Sequence, residues 1–436
     1  MEAPRTATRY VRVILRWTLI AIVLLIALIG FLYLTRGTAV RHVRGVDADG
    51  SPVAVSEPQF PLSVALLTGT LLTPGNHVEL ALDGDGTFPR LWADLRSARQ
   101  SITVQMYYGH PGRVADTLGR ILRERAAAGV RVLVLYDAWG TSGLSSRVVA
   151  SFRRAGIEVF PFRPLRLSTL YVIQNRSHLR GIVIDGRIGW TGGFGIDDKW
   201  LGDGRTNGGW RETNVRFEGP AVRQLQAAFA ASWAEATGVL LSGRLTLDLR
   251  EGGVTAAGLL YTSPTLGSTA AERFLAMSIA GARKTLYVTN AYFAPDKNFV
   301  GLLIDAARRG VDVRLLLAGP RTDVRTARYA GRARYDTLLA SGVRIWEWMP
   351  TTLHAKTFVV DGLWSSVGTM NFDNRSLALN DEDVLMVLDP NAGARLNEVF
   401  LSDLQFSEEI TLKRFRERGW TTRVAEWGAS LITPVL

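Results

Sequence analysis

Leu353-His354-Ala355-Lys356-Thr357-Phe358-Val359-Val360-Asp361-Gly362 sets a histidine, a lysine and an aspartate at i, i+2 and i+7. The pattern reads as a strand. Successive side chains on a strand point to opposite faces, so His354 and Lys356 share one face and can meet one ligand, while Asp361 falls at the turn beyond. A base and a cation converge there. The stretch has an echo 176 residues earlier in His178-Leu179-Arg180-Gly181-Ile182-Val183-Ile184-Asp185-Gly186, with arginine in the place of lysine.

Working outward from the two motifs, an internal repeat emerges with a period far longer than that of solenoids, which signals a duplicated domain. Ser97-Ala98-Arg99 before Ile102-Thr103-Val104 corresponds to Gly281-Ala282-Arg283 before Leu286-Tyr287-Val288. Arg125-Ala126-Ala127-Ala128-Gly129-Val130 corresponds to Ala306-Ala307-Arg308-Arg309-Gly310-Val311, and Ala155-Gly156-Ile157 to Ser341-Gly342-Val343. In each pair a helix ends at or near glycine and an apolar strand follows. Helix and strand alternate throughout, which predicts an α/β fold with a largely buried sheet in each half.

The elements after each motif extend the pattern. Gly368-Thr369-Met370-Asn371, Asp373-Asn374-Arg375-Ser376, Leu379-Asn380 and Glu382 follow the second copy; Gly192-Gly193-Phe194, Lys199-Trp200-Leu201-Gly202 and Trp210-Arg211-Glu212-Thr213 follow the first. On these residues the sequence resembles the phospholipase D superfamily, whose HxKxxxxD signature occurs twice in one chain, and within it the bacterial cardiolipin synthases. The likeness runs from about residue 75 to 436. It implies two phospholipase D-type α/β/α sandwich repeats related by a pseudo-two-fold axis, with both histidines in one cleft.

What the resemblance implies for the chemistry can be written residue by residue. His178 is the nucleophile and forms a phosphohistidine, and His354 is the general acid and base, roles that imidazole can fill near neutrality. Arg180 and Lys356, joined by Asn371, bind the non-bridging oxygens. Glu382 orients His354 and Glu212 orients His178. Asp185 and Asp361 complete the motifs either as catalytic groups or, standing before glycine at strand ends, as turn residues. This chain departs from the family at Arg180, where lysine is expected, and at Gly195, where the other half has Asn371. No cofactor is implied. His42, His77 and His110 are scattered and no HExxH pattern or cysteine cluster occurs, so no metal site is predicted.

Composition bounds the rest. The 436 residues carry a net charge of +11, and only five of the 51 basic residues are lysine. Such a balance reflects either an anionic partner, phospholipid head groups before nucleic acid, or an arginine-rich codon usage. Without cysteine there are no disulfides and no thiolate metal ligands. Residues 17–34 hold no charge over about 27 Å of helix, enough to span a hydrocarbon core. They predict a membrane anchor, with a cleaved signal peptide as the rival reading. Arg5, Arg9, Arg12 and Arg16 precede it and Arg36, Arg41 and Arg44 follow, leaving the catalytic side of the cell membrane open.

The expected organisation is a basic tail over 1–16, a transmembrane helix over 17–34, a linker over 35–75, and phospholipase D-like domains over 76–245 and 246–436. Within the linker, the leucines of residues 60–72 either lie on a membrane or pack on the domain. Three functions fit the motifs. One is a membrane-bound phosphatidyltransferase joining two phosphatidylglycerols and releasing glycerol. A second is a phosphodiester hydrolase, phospholipase D or nuclease, in which water is the acceptor. The third is a non-catalytic lipid-binding protein with a decayed first site.

Overall fold

The valine- and isoleucine-rich runs become strands buried on both sides. The computed structural model describes residues 4–436 apart from 47–49, 108, 142–143, 167–173, 207, 244–250 and 266. The boundary expected between 245 and 246 lies outside the described residues. The first half contributes β1 (Thr73–Leu82), β2 (Ser101–Met106), β3 (Arg131–Asp137), β4 (Glu158–Phe162), β5 (Gly181–Ile184), β6 (Ile188–Gly192) and β7 (Thr213–Glu218). The second contributes β8 (Thr255–Thr262), β9 (Thr285–Asn290), β10 (Phe293–Ala294), β11 (Asp312–Ala318), β12 (Arg344–Trp348), β13 (Lys356–Val360), β14 (Trp364–Gly368), β15 (Phe372–Asp373), β16 (Glu382–Leu388) and β17 (Ser407–Ile410).

One strand order is used twice. The first half runs β4-β3-β2-β5-β6-β7-β1 and the second β12-β11-β9-β13-β14-β16-β8, with β17 added beside β12. In both, the three strands joined through helices are parallel and the rest antiparallel, as short hairpins and long helical crossovers require. A β1–β8 pairing with a register break between Thr73 and Asn76 joins the halves.

The sheet then folds over so that its two halves face each other. Ile182 and Ile184 on β5 point into the first half's helix-covered core, while Val183 between them enters a shared core with Val359, Val367, Leu385 and Val387 of the second half. On β13 the same alternation sends Phe358 and Val360 outward and Val359 inward. Continuous apolar runs are what a strand buried on both faces needs. The observed fold is thus the mixed α/β repeat that the sequence predicts.

A helix over Pro4–Leu34 carries the charge-free run and begins well ahead of it; its Arg12–Leu34 portion is long and apolar enough to cross a bilayer and has no buried residue. Its foot is fixed to the second half. Asn374 Nδ2 donates to the Leu34 carbonyl (3.1 Å), Arg36 Nη2 to that of Ala378 (2.7 Å), and the Thr38 amide to Asp296 (2.7 Å). Farther on, Phe60 and Val64 enter the second half's core, whereas Leu62, Leu66 and Leu71 remain exposed. The leucine-rich stretch therefore divides between packing and solvent.

Arg211, on the run into β7, clamps the halves together. Its side chain is 1% exposed and pairs with Asp403 of the second half (2.7 Å) and Asp83 of the first (3.2 Å). A buried charge deprived of its partner is strongly destabilising. Arg211→Leu takes the arginine from both carboxylates, leaving Asp403 only the longer contact to Arg205 (3.6 Å), so unfolding by denaturant should show a loss of about 3–5 kcal/mol. A loss below about 1 kcal/mol would show the clamp to be replaceable by packing.

Candidate active site

Both histidines arrive at the cleft just before a strand, and each is stitched there to the opposite half. The His178 amide donates to the Asp381 carbonyl (2.8 Å), and the Asp381 amide to that of Arg176 (2.9 Å). In the related place the His354 amide donates to the Arg211 carbonyl (2.8 Å), and the Arg211 amide to that of Thr352 (2.9 Å). These parallel bridges lay Asp381-Glu382 alongside Ser177-His178 and Arg211-Glu212 alongside Leu353-His354.

The carboxylates follow from that stitching. His178 Nδ1 lies 2.9 and 3.0 Å from the two oxygens of Glu382, and His354 Nδ1 lies 2.7 Å from Glu212 Oε2. The pairing expected from the sequence, Glu382 with His354 and Glu212 with His178, is corrected: each glutamate serves the histidine of the other half. Glu382 is further held by Thr369 Oγ1 (2.6 Å), and Glu212 by the Thr213 amide (3.0 Å) and Trp200 Nε1 (3.3 Å). With Nδ1 engaged, Nε2 of each ring is left for chemistry.

The motif cations stand at those rings. Arg180 Nη2 is 3.2 Å from His178 Nε2, and Lys356 Nζ lies against the His354 ring, 3.1 Å from Nε2 and 3.0 Å from Nδ1, while donating to the His354 carbonyl. All four side chains are buried. Among the described residues, the Arg180 donors Nε and Nη1 and the Asn371 acceptor Oδ1 have no hydrogen-bond partner. Buried polar groups left unpaired are expensive unless something arrives to pair with them. Asn371 Nδ2 touches Ser376 Oγ at 3.4 Å.

Electrostatics push each group towards its neutral form. Burial, then Arg180 and Lys356, hold the His178 imidazole well below its ordinary value; burial, then Lys356 and Arg180, do the same to His354. Burial lowers Lys356 to about 7 and raises Glu382 to about 8. It also raises Glu212, against the pull of Lys356 and Arg180. A bound anion would offset part of that push on the cationic groups.

Asp185 and Asp361 are elsewhere. They close β5 and β13 at the ends away from the histidines, with φ of +54° and +52°. Asp185 accepts from the amides of Arg99, Gln100 and Ser101 (2.7–3.2 Å), and Asp361 from those of Arg283, Lys284 and Thr285 (2.7–2.9 Å). Aspartate tolerates the left-handed conformation and hooks nearby amides. The catalytic alternative for these two residues is thereby corrected to the turn reading: they lock the strand that presents the histidine.

The departures in the first half form one concerted change. Gly195 precedes Trp200 by the five residues that separate Asn371 from Ser376, and a Cβ on Gly195 would lie 2.6 Å from the Trp200 ring. Large and small have been exchanged. Trp200 also meets His354 edge-on (5.4 Å), lies under Arg180 (5.5 Å) and packs at a tilt against Trp210 (4.8 Å). Lys199 Nζ sits 4.0 Å from the Trp210 ring, and burial lowers it to about 8. Tyr107 and Tyr292 present edges to His178 and His354 at 5.0 and 5.8 Å. Sequence reading missed Trp200, Trp210, Tyr107 and Tyr292 as site residues. The signal for Trp200 was its match in spacing to Ser376.

Comparison with known proteins gives the family and the fold. The phospholipase D-like domain of cardiolipin synthase matches twice, over residues 91–233 and 275–404. The chain is 35% identical over 385 residues to a cardiolipin synthase of Geobacillus kaustophilus, covering 87% of this chain and 74% of that one. To one from Staphylococcus aureus it is 32% identical over 369 residues, covering 84% and 74%. Among solved structures, a phosphatidylserine synthase of Haemophilus influenzae superposes with a TM-score of 0.63 at 13% identity, over 87% of this chain and all of that one. A polyphosphate kinase of Porphyromonas gingivalis gives 0.52 at 14% identity, over 81% and 52%. Both share the fold.

Gly195→Asn restores the second half's residue but drives its side chain into Trp200, so turnover should fall by about tenfold or more. With Trp200→Ser added, part of that loss should return, a coupling of roughly 1 kcal/mol or more in a double-mutant cycle. Strictly additive effects would show that the two positions do not share space.

Proposed function

The chain belongs to the phospholipase D-like cardiolipin synthase family, and we propose that it joins two phosphatidylglycerols into cardiolipin through a phosphohistidine, releasing glycerol. It is an enzyme of the phosphatidyltransferase type. The observation that carries the reading is the pair of buried imidazoles, each with a carboxylate on Nδ1 and a cation against the ring.

In this reading His178 Nε2, neutral because of its surroundings, attacks phosphorus. The P–N bond forms as the P–O bond to glycerol breaks, and His354, protonated once the substrate's negative charge offsets Lys356 and Arg180 beside it, gives its proton to the departing alkoxide. His354 then takes the proton of a hydroxyl on the second phosphatidylglycerol. That oxygen attacks phosphorus, the P–N bond breaks, and both imidazoles return to their first state. Arg180, Lys356 and Asn371 hold the non-bridging oxygens as charge builds on them. The apolar helix Arg12–Leu34, long enough to cross a bilayer, would keep the cleft beside a lipid substrate that never leaves the membrane. Anchorage in the cell membrane by that one span belongs to the same reading.

Lipid mass spectrometry after incubating the purified protein with phosphatidylglycerol vesicles tests it. Cardiolipin and free glycerol are expected. Phosphatidic acid as the sole lipid product would make water the acceptor, and no product at all would remove the reading. His178→Ala and His354→Ala should each leave less than about a hundredth of the rate. Arg180→Ala should lose roughly two orders of magnitude while Arg180→Lys stays active; a change under about threefold for alanine would remove Arg180 from the phosphate site.

The pH profile makes a separate test. Lys356, held at about 7 by burial, is charged below that pH and neutral above it, so kcat/KM should decline on the alkaline side of 7. Lys356→Arg stays charged and should carry that limb upward even if the maximum rate drops. An unmoved limb would assign it to another group.

A further inference from the structure

The helix Trp420–Ser430 packs with its polarity reversed. Glu426, 1% exposed, faces the protein and is held by Arg332 (2.8 Å) and Arg418 (2.7 Å). Trp420, Val424 and Trp427, followed by Leu431 at the helix end, recur at i, i+4, i+7 and i+11, which gathers them on one narrow stripe. They are 75%, 55%, 64% and 62% exposed. A helix that buries its acid and shows two tryptophans to solvent lacks a covering surface.

Its position says what that surface is. Asn374 Nδ2 donates both to the Leu34 carbonyl at the foot of the apolar N-terminal helix and to the Pro434 carbonyl just beyond this stripe. Leu431 is three residues from Pro434, so it stands within about 10 Å of that shared side chain. Exposed Lys413, Arg414, Arg416 and Arg423 lie along the approach to the helix and on it. Tryptophan with an apolar stripe and flanking arginine is the composition of helices that lie in the headgroup region of a bilayer.

We propose that Trp420–Ser430 lies on the bilayer beside the N-terminal helix, with Trp420, Val424, Trp427 and Leu431 in an anionic phospholipid surface, as a second point of attachment that fixes the tilt of the cleft. The proposal rests on the membrane anchorage proposed above. A second contact is needed to fix a tilt, because one helix leaves a body free to rock. The tail after the stripe reaches the catalytic segment directly: the Arg375 amide donates to the Leu436 carbonyl (2.7 Å), and Asn374 and Arg375 lead into Ser376, the neighbour of Asn371.

The absence of cysteine makes the test clean. The full chain bearing Trp427→Cys, or Ser97→Cys as a control remote from the stripe, is labelled with the fluorophore NBD. It is then placed in vesicles of phosphatidylglycerol and phosphatidylcholine. At 427 the emission should shift to the blue and be quenched by nitroxides on the acyl chains; at 97 it should do neither. Emission at 427 like that at 97 overturns the proposal. So does a blue shift that acyl-chain nitroxides leave unquenched and dilution abolishes, which would identify a second copy of the chain as the cover. Trp420→Glu with Trp427→Glu should lower turnover in vesicles by about tenfold, through misplacement of the cleft, with little change in detergent micelles. Equal turnover in vesicles would remove the orienting role. Quenching without any lipid product would leave the docking intact and remove the catalytic reading, and product without quenching would do the reverse.

Discussion

The arrangement of the cleft depends on the exchange of carboxylates between the two halves. His178 rests on Glu382 and His354 on Glu212, so neither half holds a complete set. Burial gives this exchange its force. An imidazole removed from water is hard to protonate, and a carboxylate removed from water is hard to ionise. Set against each other, the two share the penalty and fix the ring's orientation. The backbone bridges beside each pair supply the register, the Arg211 clamp supplies the adhesion, and the shared core of Val183, Val359 and Val367 supplies the dry surroundings.

A good deal of this was legible in the sequence, and the limits have physical reasons. The duplication was visible because helix ends at glycine and apolar strands keep a common order, and the histidine motifs because alternation on a strand sets side chains on one face. The glutamate partners were misassigned because distance along the chain suggests contact within a half, whereas the bridges that decide the matter join residues 204 and 142 positions apart. Asp185 and Asp361 were ambiguous for another reason. Their chemistry suits a catalytic cleft, and only the left-handed backbone and the amides of the neighbouring strand reveal a hook.

The first half illustrates how a site tolerates change. Arg180 in place of lysine and Gly195 in place of asparagine read in isolation as decay. In three dimensions the space given up by one is filled by Trp200, whose ring lies beneath Arg180 and against His354. A planar guanidinium over an indole is a stable arrangement. The pseudo-symmetry of the backbone therefore coexists with an asymmetric lining, as two steps with different partners would favour.

The crosswise pairing also has a consequence for biosynthesis. The N-terminal helix and the first half leave the ribosome before the second half exists, and domains commonly fold in that order. At that stage His178 has no Glu382 and Glu212 has no His354. On the proposed chemistry, a nascent chain would stay chemically silent until Asp381-Glu382 had been synthesised and laid against Ser177-His178.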